Sequence, residues 1–156
     1  MKKYFAIIAL SLLLFISCDR KNELNVEKEK EAMKQADIAF SNLSKQKGMK
    51  AAFMQYMDTA AVMLRPGRSP LKGMDAAQLI YNTNDSSFIL TWVPRGAEIS
   101  SSGDLGYTYG IWTSYQKKWL SDSSSQGTYV TIWKKQANGS WKFVLDTGND
   151  GVDKKK

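Results

Sequence analysis

The sequence predicts an α+β domain in which a curved antiparallel sheet is closed into a cone by N-terminal helices. Three observations carry this. Apolar residues between Val26 and Tyr81 recur mostly at helical spacing, those after Ser87 fall in runs of strand length, and Gly48, Pro66-Gly67 and Pro70 punctuate the first regime. Helices gathered ahead of strands, with one strand between the second and third helices, place the helices on one face of the sheet.

The chain begins with a segment that is not part of this domain. Lys2 and Lys3 give a positive start, Tyr4 to Ile16 form an unbroken apolar and small-residue run, and Ser17-Cys18 precedes Asp19-Arg20-Lys21. The run is shorter than the roughly 20 residues a spanning helix needs, and its flanks are those of a secretion signal. Residues 1–17 are therefore read as a signal peptide. Phe15-Ile16-Ser17-Cys18 resembles the bacterial lipobox, in which the Cys is acylated and becomes the mature N-terminus, with Phe15 departing from the usual Leu. The resemblance implies a lipidated Cys18 that holds the chain to a membrane of the cell envelope, facing the periplasm or exterior. Each acyl CH₂ buried in lipid contributes about 0.8 kcal/mol to such an anchor. The alternative is an ordinary signal that leaves Cys18 as a free thiol.

Residues 18–25 form a polar tether, and the domain spans 26–148. Val26, Met33, Ala36, Phe40 and Leu43 predict an amphipathic helix that Gly48 ends. Met49–Met57 reads as a second short helix with Ala52, Phe53 and Tyr56 inward. Asp58-Thr59 interrupts, Ala61–Arg65 reads as a strand stopped by Pro66-Gly67, and Arg68–Gly73 as a loop. Asp75–Tyr81 is a third helix, with Asp75 in the first turn, where a carboxylate favours the helix dipole. Strands follow at Ser87–Val93, Ala97–Ser100, Leu105–Tyr115, Gly127–Lys135 and Trp141–Thr147. Ser101–Asp104 and Ala137–Gly139 supply hairpin turns, and the Ser-rich Lys117–Gln126 a longer, mobile connection. Residues 149–156 are a basic tail.

Composition removes whole classes of chemistry. Without the signal, 139 of the 156 residues remain, enough for one core. There is no His and the single Cys is assigned to lipid, which excludes zinc sites, Cys or Ser–His nucleophiles and His-ligated haem. No disulfide can form within the domain, and neither a metal nor a cofactor is expected. The net charge of +7 falls to +2 once Lys2, Lys3 and Lys154–Lys156 are set aside, so no basic face for nucleic acid is expected.

The order of elements resembles the nuclear transport factor 2-like superfamily, and within it the SnoaL-like, ketosteroid-isomerase-fold branch, over Glu27 to Gly148. The residues that carry the resemblance are Ala36-Asp37-Ile38-Ala39-Phe40, Met63-Leu64-Arg65-Pro66-Gly67, Leu71-Lys72-Gly73, Leu90-Thr91-Trp92-Val93-Pro94, Ser102–Tyr107, Tyr129–Trp133 and Asn138-Gly139 before Trp141. Ketosteroid isomerases use a carboxylate base with a Tyr and a neutral carboxylic acid as oxyanion donors. The corresponding positions here are Leu64, Phe40 and Thr131, which argues against that activity. The His-dependent dehydration of scytalone dehydratase is excluded by the absence of His.

Strand alternation groups Tyr107, Tyr109 and Ile111, then Tyr129, Thr131 and Trp133, then Val144, Asp146 and Gly148. The resemblance turns these sets toward the cavity and implies a ligand pocket lined by Leu64, Tyr107, Tyr109, Tyr129, Thr131 and Trp133. Periodicity alone points the other way in the last strand, where Trp141, Phe143 and Leu145 form the more apolar face. Asp146 is the candidate catalytic group, since a carboxylate in an apolar cavity can serve as general acid or base. Its alternative is an exposed strand end or a pair with Arg65, itself read as capping the Pro66 loop. Asp58 and Asp104 read as turn residues.

Three functions are consistent with this. The first is a lipid-anchored module that binds an apolar small molecule without catalysis. The second is an isomerase, cyclase or hydrolase acting through Asp146, with Tyr107 or Tyr109 as oxyanion donor. The third is a structural partner in an envelope complex, homodimeric through the outer sheet face with Trp112 in contact.

Overall fold

No Gly or Pro occurs between Lys2 and Lys47, and in the computed structural model that whole stretch is one helix, α1 (Lys2–Lys47). The structure describes the backbone of residues 2–117 and 124–152, and the side chains of these from Asn25 onward. Cys18, the end of the basic tail and the middle of the Ser-rich connection lie outside the described side chains. No helix of the described residues is long and apolar enough to cross a membrane.

Gly48, with φ of 93°, turns the chain out of α1 and into α2 (Met49–Tyr56). A side chain at Gly48 would collide with the Asp85 carboxylate, which accepts the Lys50 amide at 2.8 Å and so satisfies the start of α2. β1 (Met57–Leu64) follows without a break. The expected interruption at Asp58-Thr59 is a bulge, in which Asp58 Oδ1 accepts the Ala60 amide at 2.8 Å. The loop expected at Arg68–Gly73 contains a two-residue strand, β2 (Leu71–Lys72), paired antiparallel to β1. Next come α3 (Met74–Asn82), β3 (Phe88–Ile99), β4 (Leu105–Gln116), β5 (Ser124–Lys135) and β6 (Trp141–Asp150). The two strands expected around Pro94 are one, with a bulge at Arg95 that accommodates the proline.

The six strands form one sheet in the order β2-β1-β6-β5-β4-β3. The fold class is α+β, as expected, but the sheet is mixed because β1 runs parallel to β6. The helices cover its concave face. At the centre Phe40 of α1 packs its ring 4.5 Å from Trp92, 4.8 Å from Phe53 and 5.7 Å from Phe143. Hydroxyls fasten α1 to β3: Ser41 Oγ accepts the Trp92 amide and donates to the Trp92 carbonyl, both at 2.8 Å, and Ser44 Oγ donates to the Leu90 carbonyl at 2.6 Å.

Candidate functional site

Small residues on the sheet open a space that the helices do not fill. Gly110 of β4 and Gly148 of β6 flank Tyr129 of β5, Gly127 of β5 lies between Trp112 and Asp150, and a Cβ at Gly110 would lie 3.0 Å from the Tyr129 ring. Without those side chains, Tyr129 and Trp112 lie flat against the strands. Trp112 Nε1 donates to the Asn149 carbonyl at 3.2 Å. Between this floor, α2, α3 and the loop after β1 is a cavity of about 340 Å³. Its walls are mostly apolar, with Phe53, Leu79, Ile80, Leu90, Trp92 and Trp112 among them; the polar groups include Arg65, Arg68, Thr131, Asp146 and Asp150.

Asp146 sits at the polar end, held on both oxygens. Its Oδ1 accepts from Arg65 Nη2 at 2.5 Å and its Oδ2 from the Thr131 hydroxyl at 2.9 Å. Arg65 Nη1 also donates to the carbonyls of Asp146 at 3.0 Å and Leu64 at 2.8 Å. Arg65 therefore ties the end of β1 to β6, besides serving the Pro66 loop.

Behind the opposite wall lies a carboxylate that the sequence reading passed over. Asp37 of α1 is fully buried and accepts from Trp92 Nε1 and from the Tyr129 hydroxyl, each at 2.7 Å. The nearby Thr108 hydroxyl, also buried, accepts from Trp133 Nε1 at 2.9 Å. Burial pushes the Asp37 carboxyl above the ordinary carboxylate range, while the hydrogen bonds from Tyr129 and Trp92 oppose that push. Burial likewise raises the Tyr129 phenol, reinforced by the negative charge of Asp37. The signal for Asp37 was its spacing: Met33, Asp37, Phe40, Ser41 and Ser44 all face inward, at i, i+4, i+7, i+8 and i+11.

The structure brings Tyr129, Thr131 and Asp146 together at the cavity. Trp133 is on the same face but wholly in the core beneath it, with no exposed surface. Tyr107 and Tyr109 differ from expectation: on β4 it is Gly106, Thr108 and Gly110 that face inward, and the two tyrosines project from the outer face, 42% and 45% exposed. Leu64 also points away, because Ala61 and Met63 occupy the inner face of β1 and Arg65 continues it. Trp112, expected on the outer face, lines the cavity. The two readings of the last strand are each right over half of it. β6 bulges at Val144, since Trp133 pairs with Phe143 and Ile132 with Leu145, so Trp141 and Phe143 face inward before the bulge and Asp146 after it.

No family model matches the chain, and no curated protein matches its sequence. Solved structures do match in fold. A ketosteroid isomerase-like protein from Erwinia carotovora superposes with a TM-score of 0.64 at 15% identity, covering 80% of this chain and 98% of its own. A nuclear transport factor 2-like protein with a cystatin-like fold from Novosphingobium aromaticivorans gives 0.62 at 12% identity, over 81% and 84%. A hexachlorocyclohexane dehydrochlorinase from Novosphingobium barchaimii gives 0.61 at 17% identity, over 83% and 91%. The chain thus has the nuclear transport factor 2-like fold, the architecture that ketosteroid isomerase-like proteins share.

Proposed function

We propose that this chain is a lipid-anchored, extracytoplasmic domain that binds a mostly apolar small molecule in the cone. The observation that carries the reading is the cavity of about 340 Å³, apolar over most of its wall and polar at one end, which has the size and character of small-molecule sites. Neighbours in fold named as a ketosteroid isomerase-like protein and a dehydrochlorinase are in keeping with a small-molecule role. Binding is preferred to acid/base catalysis because Arg65 and Thr131 engage both oxygens of Asp146, and the tyrosines proposed as oxyanion donors lie on the other face. Membrane attachment rests on Phe15-Ile16-Ser17-Cys18 and on Cys18 being the single Cys.

Thermal unfolding of the purified domain against a library of apolar carbonyl and aromatic compounds tests binding. A rise in Tm for at least one class is expected in the parent protein and not in Leu79→Trp, which fills the cavity. No rise for any class would refute it. Labelling of cells with palmitate should mark the parent chain and leave Cys18→Ser unmarked.

A second reading, a homodimer or envelope partner joined through the outer face, is favoured by the exposure there of Tyr107, Tyr109 and Val130, Tyr109 being paired with Val130 and its ring 6.4 Å from that of Tyr107. Sedimentation should then show a dimer that Tyr109→Lys dissociates; a monomer at all concentrations would exclude self-association.

A further inference from the structure

We propose that the ligand of this cavity is an apolar monocarboxylate, gripped by the free edge of Arg65 with Arg68 beside it. This inference rests on the binding reading above. A guanidinium carries five N–H donors in a flat fork. In Arg65, Nη1 donates to the Leu64 and Asp146 carbonyls and Nη2 to Asp146 Oδ1, which accounts for three of the five donors. The remaining donors, Nε–H and the second Nη2–H, run parallel along the other edge and have no acceptor among the described residues. Two parallel donors on one guanidinium edge match the two oxygens of a carboxylate.

The edge is also preorganised. Three hydrogen bonds fix the plane of the guanidinium, so a ligand orders little when it binds. The side chain is 26% exposed and lines the cavity, neither sealed in the core nor loose in solvent. Arg68, three residues on, lines the same cavity and has no ion-pair partner among the described residues.

Charge selects the kind of anion. Arg65 is balanced by Asp146, and Asp150 also lines the cavity, so a dianionic phosphate would meet two carboxylates. The two arginines and two carboxylates of the lining sum to zero, so a single negative charge on the open edge of Arg65 meets half the repulsion that a dianion would. The apolar walls then take the body of the ligand, in the manner of a hydrocarbon acid rather than a sugar or a nucleotide.

Calorimetric titration of the unmodified domain with a set of arylalkanoates and straight-chain alkanoates, each beside the primary amide of the same hydrocarbon, tests this. At least one acid should bind about tenfold or more tightly than its amide, as expected for a charge-assisted pair against a neutral one. Arg68→Gln should weaken the acid severalfold and leave the amide unchanged. Arg65→Lys keeps the charge but removes the second donor edge, and should erase most of the preference; its folding is checked by thermal unfolding. Equal affinity for acid and amide would overturn the carboxylate assignment while leaving the binding reading intact. Binding of neither, across the whole set, would overturn the carboxylate assignment, and the binding reading falls with it when the thermal-unfolding library also gives no shift.

Discussion

Replacing Asp37 with Asn and with Leu separates the charge of this buried group from its role as acceptor. Trp92 Nε1 and the Tyr129 hydroxyl both donate to it at 2.7 Å, and it has no ion-pair partner among the described residues. In Asp37→Leu those two donors are left unpaired inside the core at about 1–3 kcal/mol each, so a loss of about 2–6 kcal/mol is expected before relief of the desolvated charge is counted. In Asp37→Asn the side-chain oxygen still accepts from Trp92, and the new amide can donate to the Tyr129 oxygen once the phenol hydrogen turns aside. That variant should stay within about 1 kcal/mol of the parent at acidic pH. Burial raises the folded carboxyl above its unfolded value. In the window between the two values the folded state holds more proton than the unfolded one, so stability falls as pH rises through the folded pKa and is regained below the unfolded one. Every tenfold preference of the folded state for the proton is worth about 1.4 kcal/mol. The chain has no His, so little else titrates near neutrality. Urea unfolding followed by Trp fluorescence, from about pH 4 to about pH 8, should show Asp37→Asn gaining on the parent as pH rises. A difference that is constant, or that moves in favour of the parent, would refute the reasoning.

Three further predictions concern the core and the cavity floor. Phe40→Ala removes the ring that meets Phe53, Trp92 and Phe143, and should cost about 3–5 kcal/mol in urea unfolding, with a loss below about 1 kcal/mol contradicting its central place. Gly127→Ala would drive a Cβ into the Asn149 carbonyl and to 2.6 Å from the Trp112 ring, so it should cost about 1–3 kcal/mol and shift Trp emission as that ring is displaced; unchanged emission and stability would count against the floor as described. Thr131→Val removes the donor to Asp146 Oδ2 while keeping the shape, and should cost about 1–3 kcal/mol by thermal unfolding, whereas Thr131→Ser should recover most of it.

Most of the fold was legible in the sequence because its signals are local. Gly48, Pro66-Gly67 and the hairpin turns each act over a few residues and mark real boundaries, and the helical spacing after Val26 lies within α1, which runs on unbroken from Lys2. The face of each strand was less legible. On β4 the expectation that large aromatics point inward fails, because Thr108 and the glycines beside it are what leave room for Met33, Tyr129 and Trp133. On β6 a one-residue bulge at Val144 reverses the alternation midway, and no composition rule places such a bulge. Tyr129 and Thr131, which line the cavity, lie on a stretch of β5 where alternation is unbroken, whereas Asp146 reaches it only beyond the Val144 bulge. Asp37 was not legible as a buried group because desolvation ordinarily keeps a carboxylate at the surface, although its position four residues after Met33 and three before Phe40 puts it on the buried face.

The placement of β6 between β1 and β5 has a consequence for how the domain is made. Until Trp141–Asp150 is available, β1 and β2 cannot join the β3–β5 meander, and the concave surface has no continuous floor. Folding therefore waits for the last strand to be delivered, and the contacts that complete it link distant parts of the chain, which slows it further. On the export reading proposed above, that built-in delay would keep the chain pliable while it crosses the membrane.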